Sequence, residues 1–195
     1  MLHKKRAAAF AAVAVVLAAV LVYRTAHKPM LHGDYPYYPD VESITQASDL
    51  ILVGEVLQSG DVQALVTGRT SGGSDREAVP YTVSTVRVIE AVKGDVQAED
   101  LLEVKQLGDY QRQPEETLHQ IDGYLKQGQT MLLFLTSYAE SPCSLVTPAQ
   151  GMAEVLEGDI LYSASRYALF GYQDGSGQSA DTLGAAVAEI GQYLP

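Results

Sequence analysis

The stretch "YTVSTVRVIEAVKGD", residues 81–95, is crowded with β-branched side chains: Thr82, Val83, Thr85, Val86, Val88, Ile89 and Val92. Such residues suit a pleated, half-buried surface, so the stretch reads as a strand. Along it Val83, Val86, Val88 and Ile89 break strict apolar alternation once, as a bulge would. It runs into Lys93-Gly94-Asp95, for which there are two readings. A Lys-Gly-Asp triplet on an exposed loop is a receptor-recognition motif. Gly and Asp are also the residues that a turn needs for backbone reasons. The turn is the favoured reading.

Working toward the N-terminus, "SDLILVGEVLQ", residues 48–58, is apolar on both faces from Leu50 to Val53. That predicts a strand covered on both sides. Gly54 predicts a bulge or sharp bend within it. The strand resumes at "VQALV", residues 62–66, before a polar loop over residues 67–80. Ahead of it, Asp40 reads as an N-cap, with Val41, Ile44 and Ala47 on one side of a short helix.

Working the other way, "KGDVQAED" is a turn, and "LLEVKQL", residues 101–107, is a third strand. "PEETLHQIDGYLKQGQT" predicts a helix: Pro114 fits the first turn, Leu118, Ile121 and Leu125 share a face, and Gly128 stops it. Strands follow at residues 131–138 and 143–148. A hairpin over 151–165 turns at Glu157-Gly158-Asp159. The amphipathic pattern of residues 179–194 predicts a C-terminal helix that turns Leu183, Val187, Ile190 and Leu194 to the sheet. The predicted class is mainly β (α+β). Three strands, a helix and two strands is the chain order of an OB-type Greek-key β-barrel, here with an added hairpin and a C-terminal helix.

The segments "ITQASDLILVGEVLQ", "YTVSTVRVIEAVKGD", "LLEVKQLG", "LKQGQTMLLFL" and "LVTPAQGMAEVLEGDILY" together resemble a group of extracytoplasmic, membrane-anchored small β-domain proteins of Gram-positive bacteria. More distantly they are similar to netrin-like and tissue-metalloproteinase-inhibitor domains, which are OB barrels. Those inhibitors place an N-terminal, disulfide-bonded cysteine on the enzyme's zinc. No such cysteine is present, so the resemblance implies the barrel and not the inhibition.

The N-terminus implies a location. Lys4, Lys5 and Arg6 precede an unbroken apolar run over residues 7–23, closed by Arg24 and Lys28. As a helix the run would span roughly 25 Å, against about 30 Å for a hydrocarbon core. An uncleaved signal anchor is favoured over a cleaved signal, because a cut after Ala26 would put Arg24 where a small residue is wanted. The basic cluster keeps residues 1–6 in the cytoplasm and sends the rest outside. Residues 24–39 then form a Pro- and Tyr-rich stalk, and residues 40–195 form one extracytoplasmic domain. Five of the thirteen basic residues lie at or before Lys28, and all twenty-four acids lie from Asp34 onward. Eight basic residues against twenty-four acidic ones leave the chain beyond Lys28 at −16, which disfavours nucleic acid as a partner. Cys143 is the only cysteine, so no internal disulfide forms, and there is no Asn to glycosylate.

The sequence offers no cofactor or metal motif. His3, His27, His32 and His119 stand in no metal-binding spacing, and "DGSGQSAD", residues 174–181, lacks the glycine and the final acid of a Ca²⁺ loop. One nucleophilic set exists. Cys143, His119 and Arg166 supply the residue types of a sortase-like transpeptidase, which also pairs an anchor with an outside β-barrel. Yet the sequence before the cysteine is "YAESPCS", with Pro142 where that family has a T-L-x-T-C strand end. The plainer reading of Cys143 is a small strand residue. The expectation is a non-catalytic, membrane-tethered domain with no assigned catalytic, cofactor or metal residues. It would bind a cell-envelope protein or peptide through strand two and the 67–80 loop. The alternatives are the cysteine transpeptidase and a purely structural envelope protein.

Overall fold

In a computed structural model of the chain, the described residues are 35–66, 78–108, 123–165, 167–171 and 181–194. The chain divides into two compact units, Met1–Asp34 and Tyr35–Pro195. The first lies wholly outside the described residues, as do the predicted anchor and most of the stalk. Among the described residues no helix is long and apolar enough to cross a membrane.

The second unit is mainly β. Its elements are α1 (Val41–Ala47), β1 (Leu50–Val66), β2 (Ala78–Lys93), β3 (Leu101–Leu107), β4 (Thr130–Tyr138), β5 (Ser141–Leu145), β6 (Met152–Leu156), β7 (Ile160–Tyr162) and α2 (Leu183–Gly191). The strands make one sheet in the order β1-β2-β3-β5-β4-β6-β7, and β1 also pairs with β4. All ladders are antiparallel except β3 with β5. The pairings β1–β2–β3–β5–β4 therefore return to β1 and close a cycle.

Burial follows from this cycle. In the β1–β4 pair, Ile51, Val53, Leu132 and Phe134 join one core cluster, while Leu50, Leu52, Val56, Met131, Leu133 and Leu135 join the other. Alternate residues point to opposite faces, so this pair is apolar on both, as "LILV" predicts. The second cluster draws on all five strands of the cycle, adding Val86 and Val88 of β2, Val104 of β3 and Leu145 of β5. The first takes Val41 and Ile44 of α1, Ala186 and Ile190 of α2, and Ala153 and Leu161 of β6 and β7.

Gly54 sits where close approach requires it. A Cβ there would lie 2.4 Å from Val86 Cγ1 and 3.1 Å from the Arg87 carbonyl. The β1–β2 register shifts at Val53/Gly54, which leaves Ile89 as the unpaired residue on β2. Ile89 is accordingly 46% exposed. Beyond this bend β1 continues as a single strand to Val66 instead of stopping and resuming.

Three further expectations change. Ala47 is exposed, and Thr45 and Ser48 are buried beside Val41 and Ile44 in its place. Val187 is only half-buried, and Ala186 takes the central position of α2 with Ile190. The predicted helix ahead of β4 does not include its last turn, because residues 123–126 are not helical. Its start at Pro114, with Leu118 and Ile121, lies outside the described residues. Instead Leu125 inserts into the second core cluster at 1% exposure. The buried Gln106 amide holds the segment: Leu125 N donates to Gln106 Oε1 (2.8 Å), and Gln106 Nε2 donates to the Gly123 carbonyl (3.1 Å). A side-chain amide thus supplies the backbone partners that a helix would have supplied.

The same device fixes the start of the unit. Tyr38 N donates to Gln150 Oε1 (2.8 Å), and Gln150 Nε2 donates to the Tyr38 carbonyl (2.7 Å). Gln150 is buried, and the Tyr38 ring packs on the first cluster. Residues 35–39, read as the end of a stalk, therefore belong to the compact unit.

Candidate binding face

The cycle brings four strands side by side in the order β2, β3, β5, β4. Val83 pairs with Lys105, Lys105 with Ser144, and Ser144 with Thr136. Directly paired residues share a face of the sheet. This is the face opposite Val104 and Gln106, the buried residues that alternate with Lys105 along β3. Tyr81 lies two residues before Val83, and Tyr138 two residues after Thr136.

Lys105 is the centre of the row. Its ammonium stands 4.0 Å from the Tyr138 ring centroid and 5.8 Å from that of Tyr81. It donates to Ser141 Oγ at 2.6 Å. The Tyr138 and Ser144 hydroxyls share a hydrogen bond of 2.9 Å. Burial holds the Lys105 pKa below the usual lysine range, and the neighbouring Cys143 thiol only partly offsets this. Burial likewise raises the Tyr81 phenol, with a further rise from Tyr138. Tyr35 is raised by burial and then by Tyr81, which extends the aromatic row toward the start of the unit. Tyr138 is 47% exposed.

Cys143 pairs with Val104 across the parallel β3–β5 ladder and packs, half-buried, against the second core cluster. Burial pushes its thiol up, and Asp49 adds to the rise. A backbone hydrogen bond and Lys105 act the other way. A thiol raised in this way is scarcely ionised at neutral pH and is a weak nucleophile. His119 and Arg166 lie outside the described residues.

The Lys-Gly-Asp triplet is described, and the fold uses two of its three residues. Lys93 Nζ donates to the Thr45 and Ser48 carbonyls, each at 2.7 Å, closing the C-terminal end of α1. Gly94 has φ +98°, and a Cβ there would meet Leu50 Cδ2 at 2.4 Å and the Asp49 carbonyl at 2.7 Å. Neither residue is available to a receptor without disturbing α1 and β1. Of the surface read from the sequence, β2 supplies Tyr81, while residues 67–77 lie outside the described set. Lys105, Tyr138, Ser141 and Ser144 carried no sequence signal as a group, because pairing between β3 and β5 is what assembles them.

Among the described residues no three His, Cys, Asp or Glu side chains stand together as metal ligands. A hollow among β4, β6 and β7, lined by Met131, Met152, Glu154 and Tyr162, has a volume of ≈ 50 Å³, room for little beyond solvent. No family model, curated protein or solved structure matches the chain.

Proposed function

We propose that this chain is a membrane-tethered, extracytoplasmic, non-catalytic domain that binds a cell-envelope protein or peptide through the outer face of β2, β3, β5 and the end of β4. Three kinds of observation support the reading. The closed cycle of pairings, with β3 parallel to β5, fits an OB-type five-stranded barrel, in keeping with the netrin-like resemblance. Barrels of that type bind through the strand 2–3 face and the adjoining loops. The basic cluster and apolar run of residues 4–23 supply the tether and send the domain outside.

The observation that carries the reading is the Lys105 cluster. On a domain with excess acid, one half-buried lysine is surrounded by aromatic rings and hydroxyls on the face where such barrels bind. The transpeptidase reading finds no support in the raised Cys143 thiol.

The test is a cell-surface crosslinking pull-down of the full chain as wild type, Cys143→Ala and Tyr138→Ala. The binding reading predicts the same captured partner for wild type and Cys143→Ala, and loss of at least tenfold of it for Tyr138→Ala. A thioester-linked peptide on Cys143 of the wild type would overturn it. Absence of any specific partner would favour a structural role.

A further inference from the structure

Among the described residues, the basic side chains are Arg87, Lys93, Lys105 and Lys126. Arg87 pairs with Glu55 and Glu99. Lys93 is taken up by the Thr45 carbonyl of α1 and the Ser48 carbonyl just past its end. Lys105 differs from both. No described carboxylate forms an ion pair with it, although the chain beyond residue 28 carries three acids for every base. Its hydrogen-bond acceptor is one serine hydroxyl, whereas an ammonium has three N–H donors. A cation held partly out of water, with rings on its flanks and no counter-ion among the described residues, is arranged for an anion that arrives from outside.

We infer that Lys105, flanked by Tyr81 and Tyr138, is the point at which this face takes a ligand bearing a single carboxylate next to an apolar surface; the inference rests on the binding-face reading above. The net charge limits the anion. A field of −16 repels polyanions and dianions more strongly than a monoanion. The rings set the rest of the ligand. Tyr138 is half exposed and gives an apolar platform beside the charge. The Ser141 and Ser144 hydroxyls can orient a second polar group of the ligand. Burial now holds the ammonium pKa down, and a bound carboxylate would raise it again.

The experiment is NMR of the full chain in detergent micelles, with the backbone, the lysine side-chain ε positions and the tyrosine rings isotope-labelled. The probes are sodium acetate, phenylacetate and phosphate at constant ionic strength. The expected result is a saturable shift of the Lys105 signal with acetate and phenylacetate. Phenylacetate should bind about tenfold tighter, from the apolar area laid on the rings. The Lys105 titration midpoint should rise when the site is filled, while the Lys93 signal should stay unchanged. Lys105→Gln should abolish the ligand-induced shifts at Tyr138, with its backbone spectrum confirming the fold. Tyr138→Leu should keep acetate binding and lose the preference for phenylacetate. Shifts at Lys105 that do not saturate, that match those of Lys93, or that are largest with phosphate would overturn the inference. If the pull-down still captures a partner through Tyr138 while Lys105 fails to respond, this inference falls alone. If both fail, the binding face falls with it.

Discussion

At the scale of single residues, the chemistry of the face is set by what surrounds each group. Cys143 and Lys105 are neighbours, and their effects on each other have opposite signs to burial. Burial destabilises the thiolate and raises the thiol pKa, and the Lys105 charge partly reverses this. Alkylation of Cys143 in the folded chain should therefore reach half its maximal rate at a pH above that of an unstructured cysteine, about 8.5. Lys105→Met should move that midpoint higher still. The linkage sign is definite. Above the unfolded thiol's pKa the folded state holds the extra proton, so this group's contribution to stability is full below that value and is lost as pH rises through the folded pKa. A midpoint below 8.5, or one that Lys105→Met lowers, would contradict the account. These properties were hidden in the sequence. "KQL" and "SPCSL" read as ordinary strand pieces, and Lys105 meets Cys143 and Ser144 only through the parallel pairing of Val104 with Cys143 and of Lys105 with Ser144.

At the scale of elements, the sequence was read well where one local rule dominated. The two-faced apolar β1, the bend at Gly54, the turn at Glu157-Gly158-Asp159, the Asp40 N-cap and the C-terminal helix all have local causes. It was read poorly where a distant side chain replaces a local bond. Residues 123–126 carry a helix-compatible pattern, yet the Gln106 amide from β3 competes for their backbone and Leu125 is drawn into the core. The apolar spacing alone cannot reveal a partner seventeen residues upstream. Gln106→Leu should leave the Leu125 N–H and the Gly123 carbonyl without partners, at about 1–3 kcal/mol for each group that stays buried. Denaturant unfolding should show a midpoint loss of that order with an unchanged slope. An unaffected midpoint would mean that the amide does not hold this segment. Lys93 teaches the same lesson. Its triplet is rightly read as a turn, but nothing in the spacing tells that the Lys93 side chain closes α1 from the end of β2.

At the scale of the whole molecule, composition spoke to charge and class, and pairing decided the architecture. The −16 charge beyond Lys28, the single cysteine and the basic-apolar N-terminus are plain in the sequence. So is a β-rich fold with a helix at its end. The cycle of five strands and the row of Tyr81, Lys105, Ser144 and Tyr138 across it exist only once β3 lies beside β5. The central claim is that this outer face, and not another part of the domain, meets a partner. A photo-crosslinking amino acid placed at position 138 of the full chain in intact cells tests it most directly, with position 157 at the β6–β7 turn as the reference. The account predicts a discrete adduct from position 138, reduced by excess phenylacetate, and none from position 157. Adducts of equal yield and pattern from both positions, or from position 157 alone, would contradict it.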